Sequence, residues 1–314
     1  LWAEDKARVS RLDLVNQVTK AYYGALLSAD SYEVMKKNHA VAQENFDVVS
    51  KKFEVGKVSE YDKISAEVQV RSMSSAVTSA ATGKQLALLR LKVLMGVTAD
   101  VNFNVTETLK SYENQLVLSN TLSDENELQN NSSLRQLDQN MSLLQRSQKI
   151  IRTGFMPTIG LQMQGQYVSY SNSHWNIFKY NYSPAVSLAF AVNIPIFHAD
   201  NWTKLKKNKI QISQLEDTRI NTQRQLSMAA ESYKKNMESN IAQVHTNAEA
   251  VKQADKAVTI SSKRYEVGRG TILELNQSET ALTQAELTYN QSIYDYLTNK
   301  ADLDYTLGRE TYLK

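Results

Sequence analysis

The side chains able to do covalent or metal chemistry are few in this chain, and their spacing is wrong for it. There is no cysteine among the 314 residues, which removes disulfides, thiolate metal sites and thiol nucleophiles. The four histidines, His39, His174, His198 and His245, are too scattered to ligate a metal, and His39 lies on a helical seam, so they read as structural. Carboxylates are abundant but sit on helix faces, where solvation explains them. No glycine-rich phosphate loop follows a strand, and no nucleophile motif occurs. An enzyme, a cofactor and a bound metal are therefore not expected. A formal charge of +3 on so long a chain gives no argument for nucleic acid. The one dense cluster of charge is Lys204, Lys206, Lys207 and Lys209. It falls at the start of a helical stretch, where the helix dipole disfavours cations. Anionic lipid headgroups nearby or a merely solvated face would each account for it.

The chemistry that does stand out is partition between oil and water. All three prolines, Pro157, Pro184 and Pro195, lie between Phe155 and Phe197. Within that stretch Ile159, Leu161, Met163, Gly165 and Tyr167 share one parity and Gly160, Gln162, Gln164 and Gln166 the other. After Pro184, Val186, Leu188, Phe190, Val192, Ile194 and Ile196 alternate with Ala185, Ser187, Ala189, Ala191 and Asn193. Side chains of a strand alternate between faces, so each run is a strand with one apolar side and one small or polar side. Ser171 to Ser183, with Trp175, Phe178, Tyr180 and Tyr182, reads as their hairpin loop. Two strands alone are marginal. At roughly 10 residues each they match a transmembrane barrel pair, lipid on the apolar parity and a wet lumen on the glutamine parity. A soluble sheet packing its apolar face on a helix is the alternative.

The elements around this stretch are helical. With 10 glycines and 3 prolines, breaks must be few, and no run of 18 apolar residues exists to make a transmembrane helix. Val15, Val18, Tyr22, Ala25, Ala29 and Tyr32, then Met35, His39, Ala42, Phe46, Val49 and Phe53, form a heptad seam with one three-residue slip, which overwinds a coiled coil locally. The helix stops at Val55-Gly56-Lys57. A second, about 60 to 95, carries Ala66, Val70, Met73, Val77, Ala80, Ala87, Leu91 and Leu94, interrupted at Lys84, and ends at Gly96. Residues 97–131 lose the periodicity and read as an irregular collar with one short helix. Asn131 or Ser132 can cap a helix reaching Arg152. Asp200 or Asn201 can cap the next, which has no glycine or proline to about 266. That is roughly 100 Å of rod. The chain turns at Val267-Gly268-Arg269-Gly270 and returns to Gly308.

The two helical hairpins superpose without a gap at an offset of 212 residues. Phe53-Glu54-Val55-Gly56 lies over Tyr265-Glu266-Val267-Gly268, Glu67 over Glu279, Leu91 over Leu303 and Gly96 over Gly308. An internal repeat takes precedence in reading a fold. Here it implies two equivalent hairpins, with strands for the first expected upstream of Leu1.

With these paired turns, the run Leu273-Glu274-Leu275-Asn276-Gln277-Ser278-Glu279, the strand entry Gly154-Phe155-Met156-Pro157-Thr158 and the exit Ile194-Pro195-Ile196-Phe197, the chain resembles the TolC-like outer-membrane efflux proteins, also called outer membrane factors. The likeness spans nearly the whole chain and is weakest in the collar. It implies a mainly α fold: antiparallel coiled-coil hairpins of an α-barrel plus two strands of a transmembrane β-barrel. It divides the chain into 1–96, first periplasmic hairpin; 97–131, equatorial collar; 132–154, helix to the barrel; 155–197, outer-membrane β-hairpin; and 198–314, second periplasmic hairpin. It implies a passive export channel of a tripartite efflux or type I secretion system, spanning from the bacterial outer membrane into the periplasm. The full-length protein would be a homotrimer in outer-membrane lipid, working with a periplasmic adaptor and an inner-membrane pump. A soluble periplasmic coiled-coil scaffold or adaptor is the alternative.

The resemblance also implies site residues. Asp62 stands at a family aspartate and Tyr265 at a family tyrosine of the periplasmic gate. Glu274 and Gln277 replace two aspartates that ring the entrance, and the linking arginine falls on Gly270, one residue from Arg269. Asp62 is thus expected to accept hydrogen bonds from Tyr265 and Arg269. Val55, Gly56, Val267, Gly268 and Thr271 are implied as adaptor-docking tips. Ile159, Leu161, Met163, Tyr167, Val186, Leu188, Phe190 and Val192 are the expected lipid-facing set.

Overall fold

Helix ends organise this chain, because four glycines take left-handed backbone at the places where helices stop. Their φ values are 70° at Gly56, 68° at Gly96, 73° at Gly268 and 66° at Gly308. Only glycine adopts this conformation without steric cost. Each is followed by the same pair of closing bonds. At the first, Gly56 N–H donates to Phe53 O at 2.9 Å and Lys57 N–H to Lys52 O at 2.8 Å. At the third, Gly268 N–H donates to Tyr265 O and Arg269 N–H to Arg264 O. These are Schellman closures, which satisfy carbonyls left over at a helix end. The glycines pair at the 212-residue offset.

The computed structural model describes residues 2–98, 101, 103–116, 125–170, 181–197 and 199–309. In order it forms α1 (Trp2–Glu54), α2 (Glu60–Leu94), a 3-10 segment (Leu109–Gln115), α3 (Glu125–Leu128), α4 (Ser132–Thr153), β1 (Thr158–Val168), β2 (Ser183–Asn193), α5 (Ala199–Glu266) and α6 (Ile272–Thr306). The mainly helical fold with one strand pair is the one expected from the pattern. Most of the expected hairpin loop, with His174, Trp175, Phe178 and Tyr180, lies outside the described residues, as does His198.

The chain divides into two units. The first comprises 1–136 and 222–314. Its core joins Leu26 of α1, Leu109 of the 3-10 segment, Ala230, Met237 and Val244 of α5, and Ile293, Tyr296 and Leu297 of α6. A second, smaller cluster gathers Val49, Ala66, Tyr265, Ile272 and Leu275. Along this unit α1 and α6 run antiparallel and exchange polar links. Lys20 Nζ meets Asp302 at 2.8 Å, Asn38 Nδ2 donates to Thr283 Oγ1 at 2.8 Å, Lys37 pairs with Glu286 and Asn45 Nδ2 donates to Glu279. The seam read from the sequence placed His39 at the contact. Asn38 is the buried residue there instead, because α1 packs on α2 and α6 together and one periodicity cannot describe both faces.

The collar holds a 3-10 segment and the four-residue α3 rather than one short helix. The 3-10 segment is tied to α1, since Asp30 accepts from Leu109 N–H at 2.8 Å and Glu107 accepts from Tyr22 Oη at 2.9 Å. Asn131 is the cap of α4, accepting from Ser133 N–H at 2.8 Å and Leu134 N–H at 3.3 Å.

The second unit is 137–221. β1 and β2 pair antiparallel with Ile159 opposite Val192, Leu161 opposite Phe190 and Met163 opposite Leu188. β2 ends at Asn193, so Ile194 and Ile196 fall beyond the ladder. Neither Asp200 nor Asn201 caps α5, which already begins at Ala199. Asp200 sits in the first turn, where a carboxylate complements the dipole, and pairs with Lys204. Asn201 Nδ2 donates back to Gly154 O at 3.0 Å. Among the described residues no helix is long and apolar enough to cross a membrane.

Candidate functional site

Two places carry the residues singled out by sequence: the turns α1–α2 and α5–α6 in the first unit, and the strand pair in the second.

At the turns, the repeat builds two copies of one device. Ser59 caps α2 and Thr271 caps α6, each accepting from the N–H three residues on, Asp62 and Glu274 at 3.2 Å. Asp62 closes the capping box by accepting from Ser59 N–H at 3.1 Å and Ser59 Oγ at 2.9 Å. A Ser/Thr-x-x-acid pattern at a helix start does this because free N–H groups need acceptors. Glu274, at the equivalent position, instead lies 3.6 Å from Arg264 Nη1. Arg264 Nη2 also donates to the Arg269 carbonyl at 3.3 Å.

A cleft of about 690 Å³ lies between the two turns, lined by Lys52, Ser59, Asp62, Tyr265, Gly268 and Thr271 among others. Tyr265 closes its floor. The ring is buried, with Lys52 Nζ 4.9 Å above it, and its hydroxyl is buried with no hydrogen-bond partner. Burial pushes the phenol's pKa up, and the charge of Asp62 adds to this.

The structure thus brings Asp62 and Tyr265 to one cleft without joining them by a hydrogen bond. No bond links Asp62 to Arg269 either; Asp62 is occupied by Ser59, and Arg269 is exposed. Gln277 lies in a separate shallow groove of about 440 Å³ with Ile64, Val68 and Leu273. Val55 and Val267 are the exposed apexes, at 67% and 69%. A Cβ at Gly56 or Gly268 would meet nothing within 4 Å, so backbone conformation is what demands glycine within this chain. Sequence reasoning missed Ser59 and Arg264. The Ser-x-x-Asp and Thr-x-x-Glu spacings were the available signal. It also missed that Glu279 is buried, where loss of solvation lifts its pKa to about 7 against the lowering effect of Asn45.

At the strand pair every residue of the expected lipid-facing set is exposed. Ile159, Leu161, Met163 and Tyr167 are 71–75% exposed, and Val186, Leu188, Phe190 and Val192 51–69%. The register sets these eight on one face and Gln162, Gln164, Gln166, Ala185, Ser187 and Ala189 on the other. Patches of this size on the outside of a chain mark contact with something apolar. Among the described residues no cluster of histidine and carboxylate side chains could hold a metal ion.

The sequence profile of the outer membrane efflux proteins matches residues 2–97 and 125–309. Outer membrane protein TolC of Vibrio cholerae is 22% identical over 98% of this chain and 72% of its own length. The crystal structure of CusC, described as forming a transmembrane channel, superposes with a TM-score of 0.86 at 18% identity, covering 98% of this chain and 71% of its own. The open-state MtrE outer membrane channel of Neisseria gonorrhoeae superposes at 0.80 with 16% identity, over 98% and 68%. At these identities the structural likeness shows the fold.

Proposed function

The chain belongs to the outer membrane efflux protein family, the outer-membrane channels of tripartite efflux systems that extend into the periplasm, and on that premise we propose how its parts serve a passive conduit. The family is one of channels and not of enzymes, and we assign no residue a catalytic role. The observation that carries the reading is the strand pair, with eight large apolar side chains exposed on one face and glutamine, alanine and serine on the other. Hydrocarbon tolerates only closed barrels and helices, since unpaired backbone groups are costly there. Two strands therefore need further strands, and three copies of the protein supply them in a closed ring around a polar lumen.

The helices support the same ring. By the repeat, the latter part of α5 corresponds to α1, and α6 corresponds to α2. The α1–α6 seam within one copy thus has a counterpart between α5 of one copy and α2 of the next. α2 leaves Ile64, Val68, Leu86 and Val93 at 51–69% exposure, a face suited to such a neighbour. Contacts of this head-to-tail kind close into a ring when the rotation permits.

The division into first hairpin 1–96, collar 97–131, connecting helix 132–154, barrel hairpin 155–197 and second hairpin 198–314 is part of this reading. At the mouth we assign Asp62 and Glu274 as repeat-related carboxylates, two per copy, with Tyr265, Arg269 and Gln277 around them. Six carboxylates in a narrow entrance attract cations. Val55, Gly56, Val267, Gly268 and Thr271 form the tips that meet a periplasmic adaptor, through which an inner-membrane pump supplies the energy. The test is conductance in planar bilayers. Asp62→Asn with Glu274→Gln should abolish block by trivalent cations while leaving the open conductance within about twofold. Block that persists in the double variant would remove the carboxylate ring.

A further inference from the structure

Between Asp138 and Glu216 the sequence contains one carboxylate, Asp200. The same window holds Arg146, Lys149 and Arg152 near the end of α4 and Lys204, Lys206, Lys207 and Lys209 in the first three turns of α5. All seven are exposed. Asp200 is taken by Lys204, and no ion pair among the described residues engages the other six. Where carboxylates resume, pairing resumes: Arg219 is bound by Asp138 through two contacts. The excess charge is therefore local, on a chain whose formal net charge is only +3.

The two helices bearing these cations are fastened side by side directly beneath the strands. Asn208 Nδ2 donates to Leu144 O at 3.3 Å and Asn201 Nδ2 to Gly154 O at 3.0 Å. A Cβ at Gly154 would stand 2.7 Å from that Asn201 nitrogen, so glycine is what allows the approach. Arg146, Lys149 and Arg152 follow at three-residue steps, which sets them along one side of α4. Between cations and ladder lies an apolar collar. Phe155 meets Trp202 edge-on with ring centroids 5.2 Å apart. Met156, Ile196, Phe197 and Trp202 are 59%, 97%, 77% and 61% exposed.

Along the chain the order is thus aliphatic strand face, aromatic collar, uncompensated cations. That is the order of a bilayer leaflet met from its interior: acyl chains, interface, phosphate. Resting on the channel reading above, we infer that the base of the strand pair binds anionic glycerophospholipid. The aromatic collar lies at the acyl boundary, and Arg146, Lys149, Arg152, Lys206, Lys207 and Lys209 hold phosphodiester headgroups. Guanidinium and ammonium groups suit that ligand because phosphate oxygens accept several charge-assisted bonds at once.

Co-flotation of the full chain with large unilamellar vesicles tests this. One set is phosphatidylcholine alone and the other carries 30 mole per cent phosphatidylglycerol, both at low and at high salt. Association with the anionic set should be at least roughly tenfold tighter at low salt and converge with the neutral set at high salt. The six-site Lys/Arg→Gln variant should retain association with neutral vesicles and lose the preference. A six-site variant with lysine and arginine exchanged, folded by its helical circular dichroism, should keep it. Association with both vesicle types without preference overturns the lipid girdle and leaves the channel reading intact, whereas failure to associate with either overturns both. A preference that survives in the glutamine variant, or neutralisation that alters only ion selectivity of the pore, also overturns it and would place these cations elsewhere than at headgroups.

Discussion

Helices α2 and α6 are one element written twice, yet they live in different surroundings. Each is 35 residues long, opens at a hydroxyl cap (Ser59, Thr271) and closes two residues before a left-handed glycine (Gly96, Gly308). α6 buries fourteen residues and α2 buries two, Ala66 and Leu91. Where α6 places Ile293, Tyr296 and Leu297 in the core, α2 has Ala81, Lys84 and Gln85. The repeat has therefore kept its ends and diverged on its faces. An end is governed by backbone conformation, which leaves glycine as the choice. A face is governed by whatever packs on it, and that differs between the two copies.

The largest effect should come from the core position. Tyr296 is fully buried, and Tyr296→Ala should destabilise the helical unit by about 3–5 kcal/mol, the cost of removing a large buried ring. The equivalent Lys84 reaches over the Tyr32 ring at 5.3 Å, so Lys84→Ala should cost about 0.5–1 kcal/mol. Urea unfolding followed by far-ultraviolet circular dichroism separates the two. Equal midpoint shifts would mean that the two faces are energetically alike and would dissolve the contrast.

The helix ends provide a finer comparison. Gly96→Ala and Gly308→Ala both force a Cβ into left-handed backbone, at about 1–2 kcal/mol each. At Gly96 nothing lies within 4 Å of that Cβ, whereas at Gly308 it would fall 2.5 Å from Asn130 O. Asn130 precedes the Asn131 cap, whose amide donates to Thr306 O at 2.8 Å. Gly308→Ala should therefore cost about twice as much as Gly96→Ala and loosen the start of α4. Amide exchange at Ser133 and Leu134, the N–H groups held by Asn131, should accelerate in Gly308→Ala and stay unchanged in Gly96→Ala.

How far these features could be read beforehand follows the same division. The four turns, the strand parities and the offset of the repeat were legible because each reflects a local rule about one residue or one period. The link from Asp62 to Tyr265 and Arg269 was not found, because a serine three residues earlier claims the same carboxylate. That competition was visible in the spacing. The start of α5 was misplaced by two residues, since Asp200 suits the first turn as well as the cap. Asn38 and Glu279 were illegible for a different reason. α1 faces two helices, and a single heptad cannot say which side meets α6.

Glu279 turns the comparison into a pH experiment. It is buried in the α1–α6 seam, bonded to Asn45 of α1, with its pKa lifted to about 7 by loss of solvation. Further along the same seam, Lys37 of α1 is engaged by Glu286 of α6. Its counterpart Glu67 is solvated and paired within α2 to Arg71 at 2.7 Å. A folded-state pKa above the unfolded one means the native chain holds the proton more tightly. The protonated seam is then at full strength below about pH 4.5, and stability drains away as the pH rises to about 7. The nominal loss is about 3 kcal/mol or less at pH 8. Glu279→Gln keeps an acceptor for Asn45 and removes the charge. It should raise the urea midpoint at pH 8, leave it nearly unchanged at pH 5 and flatten the difference between them. In the single chain, where Glu67 is solvated, Glu67→Gln should move neither. If wild type minus Glu279→Gln showed no dependence on pH between 5 and 8, the carboxyl would be hydrated in solution, and the seam on α6 would be as open as the face of α2.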